Sequence, residues 1–110
     1  MSGRSSARSY GYHPHAAAEL VEEAEYLRAE GRDVAEAFEA EVDNAIGRLL
    51  QFPEIGPVIR RRGDLRFRKW KLESFRYNLV YAVIGDEIRI YAVAHHSRRL
   101  GYWLYRLRTP

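Results

Sequence analysis

Two stretches of the chain alternate in a strict two-residue period and are mostly apolar on both sides. Over residues 77–84, Tyr77, Leu79, Tyr81 and Val83 share one face, and Asn78, Val80, Ala82 and Ile84 share the other. Gly85-Asp86 follows, a two-residue loop of the Gly-X kind that favours a type II′ turn. Residues 87–95 then return, with Ile88, Ile90, Ala92 and Ala94 opposed to Arg89, Tyr91, Val93 and His95. Strands that are apolar on both faces belong in the middle of a sheet. A third strand over residues 65–72 changes phase, from Leu65 and Phe67 to Trp70 and Leu72. A bulge near Arg68-Lys69 produces that change, as do two shorter pieces. Tyr10 and Tyr12 alternate in a short opening strand, residues 9–13.

Between the first and the later strands the period lengthens to that of a helix. Ala17, Leu20, Val21, Ala24 and Leu27 form one stripe over residues 15–30, opened by Pro14 and closed by Gly31. Glu19, Glu22, Glu23 and Glu25 fall mostly off it, as a solvated acidic face. Phe38, Val42, Ala45, Ile46 and Leu49 form a second stripe, capped by Asp33 with Glu36 and ended by Phe52-Pro53. The link Gly31-Arg32 is so short that the helices must form an antiparallel hairpin. Residues 53–57 are loop by composition, and residues 60–64 are a strand start or an exposed turn. Residues 101–108, with Tyr102, Trp103, Leu104 and Leu107, form a short final helix.

The predicted order is β-α-α-β-β-β and a short helix. The hairpin has only the sheet against which to bury its stripes. The expectation is a two-layer α+β fold with a mainly antiparallel sheet, whose opposite, positively charged side stays free. One domain spans residues 9–110, behind a disordered tail of residues 1–8.

Composition agrees. The chain has 110 residues, 46% hydrophobic and 30% charged, which is globular and enough for one core. No apolar run approaches the ~20 residues that cross a bilayer, so no membrane partner is expected. The opening MSGRSSARS has no leader pattern, and the absence of cysteine excludes disulfides and fits the cytoplasm. Charge is the informative quantity. Residues 1–57 carry 5 Lys and Arg against 11 Asp and Glu, while residues 58–110 carry 13 against 4. A basic second half of that strength faces something acidic, a nucleic acid or an acidic protein, unless it is plain solvated surface.

The chemistry gathers where the last strand ends. His95, His96, Ser97, Arg98, Arg99 and Tyr102 include the types needed to cleave RNA without metal: an acid or base near neutral pKa, and cations for the phosphate. Arg66, Arg68, Lys69 and Lys71, with Arg99, are candidates for target or phosphate contacts. A structural reading stands beside this one. His95 hydrogen-bonds the helix that follows, Arg98 and Arg106 are ion-pair partners or helix C-terminal cations, and Tyr102-Trp103 are core. A metal site is not expected, since His13 and His15 straddle Pro14 with no carboxylate at ligand spacing. Glycine patterns for phosphate or dinucleotide cofactors are absent, so no cofactor is expected.

The ordered set Tyr12-His13-Pro14, Ala18-Glu19-Leu20, Phe52-Pro53, Gly56-Pro57, Arg68, Leu72, Phe75, Tyr77, Tyr81, Gly85-Asp86, Ile88, residues 92–95, Arg98, Tyr102-Trp103 and Arg106 resembles the RelE/ParE superfamily. These are the toxins of type II toxin–antitoxin pairs, and the likeness covers nearly all of residues 9–107. Two positions depart from it, Arg76 and Leu100, where proline is common in the family. The resemblance implies a cytoplasmic growth inhibitor of the plasmid-stabilisation type, neutralised by an antitoxin that wraps it, and possible larger toxin–antitoxin assemblies. Leu20, Leu27, Phe38, Arg60 and Arg61 are the candidate antitoxin contacts. One branch cleaves mRNA on the ribosome; the other is not a nuclease and poisons DNA gyrase. The cleaving branch carries basic residues at positions that here hold Glu73 and Asn78, and the sequence pI of about 9.4 is modest for ribosome binding. Both features favour the ParE-like branch over the ribosome-dependent nuclease.

Overall fold

The computed structural model describes residues 7–108. In order, they form β1 (Ser9–Tyr12), α1 (Pro14–Arg28), α2 (Arg32–Gln51), β2 (Val58–Arg62), β3 (Leu65–Lys71), β4 (Tyr77–Ile84), β5 (Glu87–His95) and a 3₁₀ helix, η1 (Tyr102–Arg108). The sheet order is β1-β5-β4-β3-β2. β1 runs parallel to β5 and every other pairing is antiparallel. The fold is α+β, with the helical hairpin packed on a mixed sheet.

The hydropathy pattern missed one strand. β2, Val-Ile-Arg-Arg-Arg, lacks apolar alternation because it is an edge strand with its basic side chains in water. The usable signal was Gly63-Asp64, the same dipeptide that joins β4 to β5. Both glycines take positive φ, 59° and 64°, as a first turn residue of this kind requires.

The expected bulge near Arg68-Lys69 is absent. β3 pairs with β4 without a shift from Phe67↔Ala82 to Lys71↔Asn78. Phe67 points to one side and Trp70 and Leu72 to the other, because both faces of this strand meet apolar neighbours. One register shift lies across from Phe67 and Arg68 but on β2, at Val58/Arg60, and the other is at Val80/Tyr81. At the second, Tyr91 is the extra residue of β5, so Ala92 and Ala94 face away from Ile88 and Ile90 rather than with them.

The hairpin differs from expectation mainly in α1. α2 buries the predicted residues and Ala35 as well. It has no side-chain cap; Gly31 is its N-cap, and Asp33 sits inside the first turn, where its charge suits the helix dipole. α1 buries Ala16, Glu19, Ala24 and Leu27, and leaves Val21 57% exposed. Its N-cap is His13, whose Nδ1 accepts the His15 N–H at 3.1 Å. The predicted tail overlaps the described residues at Ala7 and Arg8. Their backbone N–H groups donate to Leu50 O and Asp86 O, at 2.9 and 2.7 Å. Residues 1–6 lie outside the described residues.

Two apolar clusters flank the sheet. The larger, under the helices, includes Phe38, Val42, Leu49, Leu79, Tyr81 and Ile90. The smaller holds Phe67, Val80, Ala82, Tyr91 and Trp103 on the opposite face. That face is therefore not wholly free, because η1 covers part of it. Tyr81 joins the larger cluster to residues 53–57. Its buried hydroxyl donates to Pro53 O at 2.8 Å and accepts the Gly56 N–H at 3.0 Å. A Cβ on Gly56 would lie 2.5 Å from Lys69 O, so only glycine lets the loop approach β3 this closely.

Candidate functional site

β5 ends where the small-cluster face is uncovered, and the chain turns through residues 96–101 into η1. A cleft of about 430 Å³ opens there. Val80, Ala94 and Trp103 give it an apolar floor, and Arg60, Lys69, Arg98 and Arg99 a basic rim. Asn78 lines it too, with a buried Oδ1 that has no hydrogen-bond partner among the described residues. Leu100, 94% exposed, stands at its mouth.

The four candidate acid–base and phosphate residues all reach this cleft, but most are engaged. His95 Nδ1 accepts the Ser97 N–H at 3.0 Å and lies 2.8 Å from Ser97 Oγ. Its neutral ring therefore carries the proton on Nε2. The ring also stands edge-on to Tyr77, centroids 5.0 Å apart. His96 is exposed; slight burial and the nearby Lys71 push its pKa below the ordinary histidine range. Arg98 lies over the Tyr102 ring, 3.9 Å from its centroid. The Tyr102 hydroxyl donates to Glu19 Oε2 at 2.6 Å, and burial together with that carboxylate pushes its pKa well up.

Arg106 is the structural ion pair weighed from sequence. It donates through Nη1 and Nη2 to the two oxygens of Glu19, at 2.9 and 2.8 Å, in the bidentate geometry that makes such pairs strong. Burial alone would raise the Glu19 carboxyl. The hydrogen bonds from Arg106, Tyr102 and the Val93 N–H outweigh it and hold the group below the usual glutamate range. Glu19 is the residue that the hydropathy pattern placed on a solvated face. Its η1 partners are 83 and 87 positions away, so no local spacing could have signalled them.

The remaining candidates separate. Lys69 and Arg99 line the cleft, and exposed Lys71 lies near it beside His96. Arg68 does not; its Nη1 donates to Glu54 O and Gly56 O at 2.9 and 2.8 Å, which braces the loop before β2. Arg66 is exposed on β3, outside the cleft lining. Arg60 and Arg61 are exposed on β2, Leu20 is half-buried, and Leu27 and Phe38 are core. Among the described residues no three His, Asp or Glu side chains gather as a metal site, and no helix is long and apolar enough to cross a membrane.

A helical hairpin packed on a mixed sheet is the α+β fold that the RelE/ParE resemblance implies, and the basic cleft lies where β5 ends. Residues 10–100 match the family of the ParE toxin of type II toxin–antitoxin systems, parDE, and the chain belongs to that family. The match ends before η1, so Tyr102, Trp103 and Arg106 lie outside it. No curated protein matches the chain.

Proposed function

We propose that this toxin arrests growth by binding DNA gyrase, without cleaving RNA, and that a cognate antitoxin neutralises it in the cytoplasm. One observation carries the choice of branch: the Tyr102 ring lines the cleft, but its hydroxyl is committed to Glu19. Metal-free RNA cleavage needs a base, an acid and a cation converging on one phosphate. Here the tyrosine proton points at a buried carboxylate, Arg98 is stacked on the same ring, and His95 Nδ1 is held by Ser97. What stays available is a set of cations around an apolar floor, with His96 as the one exposed imidazole of the cleft, which suits binding an acidic surface better than a base, an acid and a cation converging on one phosphate. Family membership and the basic second half of the chain support the same reading.

Of the antitoxin candidates, Leu20, Arg60 and Arg61 retain surface for a partner, whereas Leu27 and Phe38 act through the core. The second reading, a ribosome-dependent nuclease, has one observation in its favour: His95, His96, Arg98 and Lys69 line one cleft. Purified toxin should inhibit gyrase supercoiling, or trap cleaved DNA, and leave ribosome-bound mRNA intact. Ribosome-dependent cutting that disappears in folded His95→Ala or Arg98→Ala would replace the gyrase reading with the nuclease.

A further inference from the structure

β1 covers the edge of β5 only as far as Ile90, whose carbonyl accepts the His13 N–H at 2.8 Å. Beyond that point Tyr91 O and the Val93 N–H lack a neighbouring strand, and a buried edge with unpaired backbone groups is costly. Two side chains take the strand's place. Glu19 Oε1 accepts the Val93 N–H at 3.0 Å, and Arg106 Nη1 donates to Tyr91 O at 2.8 Å. The same two side chains are bonded to each other, and Tyr102 adds its hydroxyl to Glu19. Glu19 is only 8% exposed and Arg106 4%. One carboxylate on α1 thus receives four hydrogen bonds, three of them from η1.

η1 supplies Tyr102, Trp103 and Leu104 to the cleft. We propose that Glu19 is a positioning residue for that cleft: from the helix side of the sheet, it completes the β5 edge and thereby sets the wall that η1 provides. Glu19 does not line the cleft, and it acts through Arg106 and Tyr102. Glu23, one turn along α1, is a natural comparator. It accepts from the Tyr77 hydroxyl at 2.6 Å and has no hydrogen bond to η1 among the described residues. The inference concerns the protein alone and needs no target, so it stands or falls separately from the gyrase reading.

The test uses the full chain in a Trp70→Phe background, which leaves Trp103 as the fluorophore. Glu19→Ala should speed amide hydrogen exchange across residues 98–108 by about tenfold or more, with exchange in α2 and β4 changed by less than about twofold. Acrylamide should quench Trp103 more strongly in the same variant. Glu23→Gln should leave both readouts of η1 at their parent values. Should Glu19→Ala fail to fold, Tyr102→Phe and Arg106→Gln remove the η1 side of the contact, and the same local loosening is expected. The proposal is overturned if η1 stays protected in these variants, if α2 and β4 loosen as much as η1, or if Glu23→Gln loosens η1 equally.

Discussion

α2 buries six apolar residues against the sheet, among them Phe38, Ile46 and Leu49; α1 buries two alanines, one leucine and a glutamate. The two helices have the same neighbour and are attached to it differently. α2 adheres chiefly through apolar area and shape, with a Glu41 that accepts the Glu73 and Ser74 N–H groups between β3 and β4. α1 offers little area at Ala16 and Ala24, and its carboxylates reach outward instead, Glu19 to β5 and η1 and Glu23 to Tyr77. An attachment by area tolerates small shifts, whereas hydrogen bonds and ion pairs fix position. The helix with the weaker apolar stripe is therefore the one that sets geometry across the sheet.

The largest effect expected from this contrast is in α2. Phe38 is fully buried, with ring centroids 5.4 Å from Phe75 and 5.1 Å from Tyr77. Phe38→Ala should cost about 3–5 kcal/mol, felt by the whole core, in urea unfolding. A loss under about 1 kcal/mol would mean that area is not what holds α2.

Acid sharpens the contrast, because only α1 buries a carboxylate. The folded pKa of Glu19 is depressed, chiefly by hydrogen bonds that overcome its burial. Its contribution is therefore complete above the unfolded glutamate value, about 4.3, and is lost as pH falls through the lower folded value. Arg106, whose guanidinium is bonded to Glu19, has its pKa held well above the pH range involved, and Arg98 faces the partner Tyr102, so the carboxylate is the group that changes. The stability gap between parent and Glu19→Gln should be constant near neutrality and shrink below about pH 4, by about 1.4 kcal/mol per unit of depression. The gap between parent and Phe38→Ala should show no such acid step. Equal pH profiles for the two variants would erase the distinction.

The same contrast marks what was legible in the sequence. Stripes of large apolar residues are readable, so α2, β4, β5 and the order of elements apart from β2 follow from periodicity. Contacts that obey no local period are not. Glu19 looked solvated because its partners come from the other end of the chain. Residues 60–64 read equally as a strand start or an exposed turn because an edge strand need not alternate, and Tyr91 reverses the β5 faces because one extra residue leaves no mark on composition. The cleft was half legible: His95, His96, Arg98 and Arg99 sit together in sequence, whereas Lys69, Asn78 and Arg60 join them only through the pairing of β2, β3 and β4.

A smaller effect is expected at the second carboxylate. Glu23 accepts from Tyr77, and Tyr77 meets the His95 ring edge-on. Tyr77→Phe removes one hydrogen bond, worth about 1 kcal/mol, and keeps the aromatic ring. Its clearer signature is local, in the imidazole ¹H and ¹³C shifts of His95, while the amides of η1 stay at parent values. Unchanged His95 shifts would show that Glu23 does not reach the cleft through Tyr77.

The smallest effect is expected where sequence and structure disagree most plainly about α1. Periodicity puts Val21 on the buried stripe, between Leu20 and Ala24; the structure turns it out, because the helix rotates to bring Glu19 and Glu23 against the sheet. If that rotation is right, Val21→Ser removes a side chain already in water and should change stability by no more than about 0.5 kcal/mol. If the hydropathy stripe were the packed face, the same change would strip a core methyl pair and bury a hydroxyl, at about 2 kcal/mol or more. One denaturation curve separates the two orientations, and with them whether α1 is held on the sheet by area or by its carboxylates.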